Sequence, residues 1–319
     1  MELQTPIQLP IGELEIKHTD GVMLFGSCFS QNMGTKLADA GFDVMSNPFG
    51  VLYNPQSICT VLRAVFLGSE EWRSMFHYDE RQGLWMNWLT DTSFARESRE
   101  ECESFISQRM EEARRAAKRT KVLVITLGTT RIYEFEGRCV TNCQKQPQNL
   151  FTERSLSLKE CVEGLFSVLE GLKTKMEGLK VILTVSPVRY RKYGMHGSQL
   201  SKATLLLATE ELRRQMTDVF YFPAYEIVVD ELRDYRFYAD DMVHPSSKAV
   251  EHIWDCFARS YFSQATMEAV KECEQFSRLL RHRPMTTSER QLKQFEQQIM
   301  LKKEQLKEKY PYFAFLCDK

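Results

Sequence analysis

Short apolar runs alternate with segments of helical periodicity along most of the chain. Residues 22–25 and 122–127 are nearly continuous apolar runs that end at a glycine, which is typical of strands buried on both faces. Between such runs, apolar residues recur every three or four positions, as on one face of an amphipathic helix. The same patterns predict strands at 42–45, 181–185 and 219–222, and helices at 31–40, 56–67, 97–119, 156–176, 202–216 and 246–258.

Strands separated by helices of this length indicate a parallel sheet with helices on both of its faces. Residues 75–94 and 132–141 depart from this alternation. The first predicts a hairpin or an extended insertion, and the second predicts a hairpin. Beyond about residue 263 the pattern changes, and residues 289–309 predict an amphipathic helix that packs on the domain or on a partner. We therefore divide the chain into a main domain at 1–262 and a helical C-terminal extension at 263–319. The apolar positions of the last helix are Leu292, Phe295, Ile299, Leu301 and Leu306.

Composition limits the classes of protein to which the chain could belong. A chain of 319 residues suits one large α/β domain with an appendage, and its formal net charge of −1 offers no basic surface for nucleic acid. No apolar stretch approaches the length of a bilayer span, and the N-terminus lacks the features of a signal peptide. Nine cysteines without close pairing suit a reducing interior. We expect a cytoplasmic protein without membrane or nucleic-acid partners.

We also expect no metal and no organic cofactor. Cys139 and Cys143 lie four positions apart, but no second pair of cysteine or histidine residues accompanies them. A structural zinc site needs four such ligands, so we interpret the two cysteines as a non-metal pair.

Two segments of the sequence carry candidate chemistry. The first apolar run passes through Gly26 into Ser27 and Cys28 and then into a predicted helix. A sharp strand-to-helix turn of this kind exposes the nucleophile of many α/β hydrolases, and the helix N-terminus favours an anion there. Far downstream, Asp241 precedes His244 by three residues. The two segments together could supply a nucleophile, a base and the group that orients the base.

These motifs resemble the bacterial GSCFA-domain family. Residues 26–30 read Gly-Ser-Cys-Phe-Ser, with Ser30 where the family name has Ala. The resemblance continues through residues 47–55, 125–129, 142–147, 184–189, 201–206, 221–226 and 234–238, and it ends at the Asp241/His244 block. It covers most of the chain. The family in turn resembles the wider GDSL/SGNH hydrolases.

The resemblance implies roles for the two segments. In GDSL enzymes the strand leads into Gly-Asp-Ser, so Cys28 stands where the catalytic serine would be and Ser27 replaces the aspartate. A thiolate is a strong nucleophile, and a helix N-terminus with a nearby histidine would lower the pKa of the thiol. Ser27 as the nucleophile stays open, and so does a turn without catalysis. His244 would be the base and Asp241 its orienting carboxylate, with the adjacent Asp240 a less well-spaced alternative.

The residues of the oxyanion hole depart in part from the SGNH pattern. The backbone N–H of Cys28 is one candidate donor, and Gly50 matches a backbone-donating glycine of SGNH enzymes. Those enzymes add an asparagine in a Gly-x-Asn-Asp run, but here the run reads Gly128-Thr129-Thr130-Arg131. The side chains of Thr129, Thr130 or Asn142 could substitute for the missing asparagine. Three cations in family-like segments could bind an anionic substrate group or simply be solvated, namely Lys145, Arg189 and Lys202.

The sequence thus predicts one α/β domain of the SGNH-like, flavodoxin-like three-layer type with a helical C-terminal extension. The expected activity is hydrolysis or transfer of an acyl group from a small-molecule or glycan ester, thioester or related compound, through a covalent acyl-enzyme. The first alternative is a non-catalytic ligand-binding domain that has lost the oxyanion asparagine. The second is a scaffold that self-associates through residues 289–309.

Overall fold

The structure is a computed structural model that describes residues 5–282, 284–285 and 288–312. Its strands in chain order are β1 (Gly21–Gly26), β2 (Val44–Ser46), β3 (Phe76–Asp79), β4 (Leu84–Asn87), β5 (Thr120–Leu127), β6 (Arg131–Phe135), β7 (Arg138–Val140), β8 (Thr152–Ser155), β9 (Lys180–Val185) and β10 (Val219–Tyr221). Its helices are α1 (Cys28–Asp39), α2 (Pro55–Leu62), α3 (Arg99–Ala117), α4 (Leu158–Lys175), α5 (Gly194–Gln215), α6 (Ala224–Glu226), α7 (Ser247–Tyr261), α8 (Gln264–Arg281) and α9 (Glu289–Lys309).

The core is a five-stranded parallel sheet in the order β10-β9-β5-β1-β2. Successive side chains of a strand point to opposite faces. Met23 and Phe25 of β1 therefore join the hydrophobic cluster that contains α2 to α5, whereas Val22 and Leu24 join the cluster that contains α1 and α7. Both faces of the sheet are thus covered by helices, and the predicted α/β class with a parallel sheet is confirmed.

Local sequence patterns predicted the positions of most helices and strands. Both predicted hairpins form, as the antiparallel pairs β3–β4 and β6–β7. Ser246 caps α7 by accepting a hydrogen bond from the N–H of Ala249 at 3.3 Å. Two differences stand out. Helix α5 begins at Gly194, whereas the sequence pattern predicted a start at residue 202, because the first turns carry few apolar residues that would have indicated a helix. The polar strand β8, which was not predicted, pairs with β6.

The strand order changes direction beside the end of β1. The chain leaves β1 for β2 on one side and later returns to β5 on the other, and such a change of direction opens a ligand crevice at the carboxyl ends of parallel strands. Gly26, with φ of 141°, makes the turn there. A Cβ at this position would lie 2.2 Å from the carbonyl oxygen of Thr126, so only glycine lets β1 end this close to β5.

The two C-terminal helices pack one after the other, α8 on the main domain and α9 on α8. In α8, the Ser277 hydroxyl donates to the carbonyl oxygen of Asp39, and Arg281 pairs with the Asp39 carboxylate. The predicted helix α9 forms and contacts α8, with Leu306 2% exposed. Leu301 is 62% exposed, so it does not belong to the packed face. In the described ranges, no helix is long and apolar enough to cross a membrane.

Candidate active site

Ser27 and Cys28 occupy different environments although they are adjacent. Ser27 is the N-cap of α1 and is only 1% exposed. Its hydroxyl accepts from the N–H of Phe29 at 3.3 Å and donates to the Ser186 hydroxyl at 2.9 Å. Cys28, the first residue of α1, is half-buried and its thiol is free. The hydroxyl is thus committed to a buried network, whereas the thiol is the more accessible of the two groups.

The charge state of Cys28 differs from the expectation drawn from its helix position. Burial raises the pKa of the thiol above its ordinary value, and the Asp241 carboxylate raises it further. The amide groups of Phe29 and of Cys28 itself, together with the Lys202 ammonium, act in the opposite direction but do not outweigh burial. The predicted lowering of the thiol pKa is therefore wrong, because desolvation exceeds the effect of the helix N-terminus.

Asp241 and His244 form a bonded pair in the loop before α7. The Asp241 carboxylate accepts from Nδ1 of His244 at 2.6 Å, and its other oxygen accepts from the N–H groups of Val243 and His244. These bonds lower the pKa of Asp241 to about 2, with the backbone N–H of His244 contributing most. Among the described residues, neither Cys28 nor Ser27 is hydrogen-bonded to His244. Nε2 of His244 has no hydrogen bond among the described residues, and 47% of the side chain is exposed.

The sequence named Lys202 as a cation that could bind a substrate anion or be solvated, but it did not predict that this side chain is buried. It lies on α5 and is 2% exposed. Its Nζ donates to the carbonyl oxygens of Gly128 and Ser186, each at 2.7 Å, and thereby joins the loops that follow β5 and β9. Burial lowers the pKa of Lys202 to about 7, and the charge of Cys28 partly opposes this effect. Within the described ranges no carboxylate pairs with this ammonium group.

A signal for Lys202 was present in the sequence. Ser198, Leu205 and Thr209 are buried on one side of α5, and Lys202 shares their helical spacing. A lysine in such a stripe indicates a buried cation. The prediction started the helix at residue 202, so the pattern that extends back to Ser198 was not seen. Ser201, the neighbouring residue, accepts from the N–H of Thr130 at 2.7 Å and fixes the same loop.

Of the two backbone donors proposed for the oxyanion hole, Gly50 already has a partner, and so do the N–H groups of Gly128 and Thr129 nearby in the predicted site. The N–H of Gly50 donates to the carbonyl oxygen of Asn47 at 3.0 Å. The N–H groups of Gly128 and Thr129 both donate to the carbonyl oxygen of Tyr53 at 2.8 Å. Gly128 therefore contacts Lys202 through its carbonyl oxygen and not through its N–H group. The N–H of Cys28 opens α1, where the helix itself supplies no acceptor.

The other side chains that the sequence predicted for the site do not gather around Cys28. The Thr129 hydroxyl is buried and bonds to the Ser201 hydroxyl at 3.1 Å. Asn142 accepts from the N–H of Gln144 at 2.7 Å, within a turn between β7 and β8. Lys145, in the same turn, is exposed. Neither Asn142 nor Lys145 is bonded to Cys28 in the described part of the chain.

The resemblance to a known family extends over most of the chain. A sequence model of the GSCFA family matches residues 21–257. The chain belongs to the GSCFA family. A comparison with curated proteins found no match. The GSCFA match begins at β1 and ends within α7, so it includes Cys28, Lys202, Asp241 and His244.

A cavity of about 260 Å³ adjoins the GSCFA site behind Lys202. The guanidinium of Arg189 lies 5.3 Å from the ring of Tyr238 and donates to the carbonyl oxygen of Met242. Tyr225 and Tyr235 complete the aromatic part of the wall. Cys28 and His244 are not among the lining residues, so the cavity flanks the reactive groups instead of containing them.

Among the residues that the structure describes, one group of side chains could hold a metal ion. Ligand atoms of Glu231, His252 and Cys256 lie within 4.8 Å of one another. His252 Nε2 is bonded to Glu231 at 2.6 Å, and the Arg259 guanidinium donates to the Cys256 sulfur at 3.2 Å. Because a cation already contacts the sulfur, we interpret the group as a hydrogen-bonded cluster. Among the described residues, this cluster makes no hydrogen bond to Cys28 or His244.

Proposed function

We propose that this GSCFA protein hydrolyses or transfers an acyl group through a covalent intermediate on Cys28. The observation that carries the proposal is the Asp241–His244 bond at 2.6 Å, which leaves Nε2 available. The loop that holds this pair is bonded to the loop after β9, since the Arg189 N–H donates to the Val243 carbonyl oxygen at 3.1 Å. Cys28 follows β1 at the same edge of the sheet.

The architecture supports an SGNH-like arrangement as part of this proposal. The strand order β2-β1-β5-β9-β10 is that of doubly wound, flavodoxin-like sheets. Ligands in such folds occupy the crevice where the strand order reverses, which here lies between the ends of β1 and β5. Cys28 follows the first of these strands and Gly128 the second. Fold alone does not determine activity, so the proposal depends on the side chains.

The proposed reaction has two steps. The Cys28 sulfur attacks the acyl carbon while His244 accepts the thiol proton, and His244 passes that proton to the leaving group as the bond to that group breaks. Water then attacks the thioester while His244 accepts a proton from the water, and His244 returns that proton to the departing sulfur. Asp241 holds the imidazole tautomer and stabilises the imidazolium form. His244 must move toward Cys28 on substrate binding, since catalytic hydrogen bonds often close only in the complex.

The flanking cavity supports a small polar substrate. Three basic side chains line its wall, Arg189, Lys202 and Arg233, together with the carboxylate of Asp234, and the tyrosines offer both aromatic faces and hydroxyl groups. A carbohydrate or a small acid suits such a wall, because planar rings and cations bind sugars and carboxylates. A small-molecule or glycan acyl compound in the cytoplasm therefore remains the substrate class that we propose.

A second candidate function is supported by one observation. The amides of Gly50, Gly128 and Thr129 are occupied by carbonyl groups, so few donors are left for an oxyanion. Loss of such donors costs acyl-transfer enzymes on the order of 10²–10³ in rate. A domain that keeps the crevice but binds its ligand without turnover would tolerate that loss.

Acyl-directed activity probes test the two candidates. Full-length protein is treated with activated ester and thioester probes, and labelling is mapped by mass spectrometry in wild type, Cys28→Ala and Ser27→Ala. Acyl-enzyme formation requires labelling at residue 28 that persists in Ser27→Ala and disappears in Cys28→Ala. Labelling that disappears only in Ser27→Ala would make Ser27 the nucleophile. Absence of acyl transfer from every probe, with ligand binding retained, would favour the binding domain.

A further inference from the structure

Arg189 lines the flanking cavity with a guanidinium group that pairs with no carboxylate among the described residues. Its Nη1 donates to the carbonyl oxygen of Met242 at 3.2 Å, and its Nη2 contacts the sulfur of Met195 at 2.9 Å. Both acceptors are neutral, and a thioether sulfur is a weak acceptor. A guanidinium group has five N–H donors in a planar fork, so most of the donor capacity of Arg189 is left for a ligand in the cavity.

Two other charged side chains on the cavity wall are neutralised by their neighbours. Arg233 pairs with Asp230 at 3.4 Å. The Asp234 carboxylate accepts from Nε of Arg236 at 3.1 Å and from its Nη2 at 2.8 Å. The buried ammonium group of Lys202, by contrast, binds carbonyl oxygens, which carry no full charge. In the described part of the chain, the wall therefore keeps an excess of positive charge.

Helix α5 adds to the positive potential of the cavity. Met195 and Ser198, which belong to its first turns, line the wall. The N-terminal end of a helix carries a partial positive charge and N–H groups without helical partners. As the structure describes α5, its first turn holds no acidic side chain and no side chain caps it. A guanidinium fork, a buried ammonium group and a helix N-terminus thus border one small cavity, and all three favour an anion.

We infer that the flanking cavity binds a carboxylate at the end of the substrate's acyl group, and that Arg189 determines this specificity. The inference rests on the proposed function. A guanidinium fork binds both oxygens of a carboxylate, and such charge-assisted pairs are stronger than neutral hydrogen bonds. Three valines on the same wall suit a short methylene chain, namely Val188, Val228 and Val229. The substrate class is therefore a short dicarboxylic acyl group.

The surroundings of His244 support this orientation of the substrate. In the proposed reaction His244 passes a proton to the leaving group, and 47% of its side chain is exposed. The leaving group then lies toward solvent and the acyl group toward the cavity. The volume of about 260 Å³ limits the acyl group to a short chain. One unpaired guanidinium also matches the single charge of a carboxylate better than the double charge of a phosphate ester.

Calorimetry on the full-length protein tests the binding of the carboxylate without any reaction. Glutarate is titrated into wild type and Arg189→Gln, and neutral glutaramide of similar shape serves as the comparison ligand. We expect glutarate to bind wild type more tightly than glutaramide does, and to bind Arg189→Gln at least about tenfold more weakly. Equal affinities of the two ligands for wild type, or tighter binding of inorganic phosphate than of glutarate, would overturn the inference.

Arg214→Gln is the matched control for loss of an arginine. Arg214 lies near the other end of α5, is 70% exposed and pairs with Glu210. It should bind glutarate as wild type does. If Arg189→Gln does not fold, Arg236→Gln decides, because it leaves the Asp234 carboxylate on the wall without its partner. Glutarate should then bind more weakly, and unchanged binding would overturn the inference.

Turnover of two thioesters separates the inference from the proposed reaction. Glutaryl and valeryl thioesters of N-acetylcysteamine have acyl chains of equal length, and only the first carries a carboxylate. The ratio of their kcat/KM values should fall at least about tenfold in Arg189→Gln. This ratio cancels any effect of the substitution on the His244 loop, to which Arg189 is bonded.

The outcomes for the two proposals differ. Turnover of both thioesters with the same ratio in wild type and Arg189→Gln would overturn the inference and leave the reaction intact. Glutarate binding that depends on Arg189, without turnover of either thioester, would support the carboxylate site and overturn only the reaction.

Discussion

Asp241 binds Nδ1 of His244 with one carboxylate oxygen and the backbone of the same loop with the other. The first bond sets the tautomer that presents Nε2 to a substrate, and the second shapes the loop. Because the two oxygens have separate tasks, a substitution can remove one task and keep the other.

Asp241→Asn separates these tasks. The asparagine oxygen can still accept from the N–H groups of Val243 and His244, but its NH₂ group no longer accepts from Nδ1. We expect acyl turnover to fall roughly 10²–10⁴-fold while the melting temperature changes little. Asp240→Asn is the control, because it removes the adjacent carboxylate instead. Equal turnover in the two variants would exclude an orienting role for Asp241.

Ser27→Ala tests whether Ser27 is structural. Loss of the α1 cap should cost about 0.5–2 kcal/mol of unfolding free energy, and the buried Ser186 hydroxyl also loses its donor. We expect reduced stability in urea unfolding but retained labelling of Cys28 by acyl probes. Ser246→Ala removes the cap of α7 and serves as the comparison. A larger loss in Ser27→Ala than in Ser246→Ala would measure the contribution of the Ser186 bond.

The pH dependence of the free energy of unfolding should show the titration of Lys202. Its pKa of about 7 in the folded protein lies below its ordinary 10.5, so the unfolded chain binds more protons between these values. Burial of this amine therefore lowers the free energy of unfolding by its full amount below about pH 7. That free energy should rise as the pH increases from about 7 toward 10.5. The slope should approach about 1.4 kcal/mol per pH unit.

Urea unfolding under reducing conditions at several pH values measures this slope. The Lys202→Met variant should lose it, since methionine does not titrate. Lys248→Met, which removes an exposed lysine of α7, should keep it. Parallel curves for wild type and Lys202→Met would show that Lys202 is charged in the folded protein at all of these pH values.

The C-terminal helix should stabilise the protein through Leu306. This side chain is 2% exposed, and Lys309 and Tyr310 nearby bond to Glu272 of α8. Leu306→Ala should cost about 2–5 kcal/mol, whereas Leu301→Ala at a position 62% exposed should cost little. Truncation at about residue 285 should likewise lower the melting temperature, because it uncovers Ala269 and Cys273.

Light scattering on the same variants tests self-association. Met300 and Leu301 leave apolar surface on α9, at 68% and 62% exposure. If this surface forms a contact between copies, Leu301→Ala should weaken the oligomer without altering the fold. A monomer in wild type and variants alike would remove self-association through α9 from the proposal. The predicted anchor at residues 311–313 is only partly testable, since Phe313 lies outside the described residues.

Local sequence determined much of the fold and the outline of the site. Gly26 before Ser27 and Cys28 predicts a sharp turn, because only glycine adopts the required φ freely and serine caps the helix that follows. The three-residue spacing of Asp241 and His244 let one loop bring them into contact. These features depend on neighbours in the chain, so their residues can be read without knowledge of the fold.

Tertiary structure alone decided the charge state of the site. The partners of Lys202 come from Gly128 and Ser186, which are distant in sequence, and the amides of Gly128 and Thr129 are taken by Tyr53. The pKa of Cys28 rises because burial outweighs the helix N-terminus, and that balance depends on how many atoms exclude water from the thiol. Such exclusion arises from packing between segments far apart in the chain, and no local pattern encodes it.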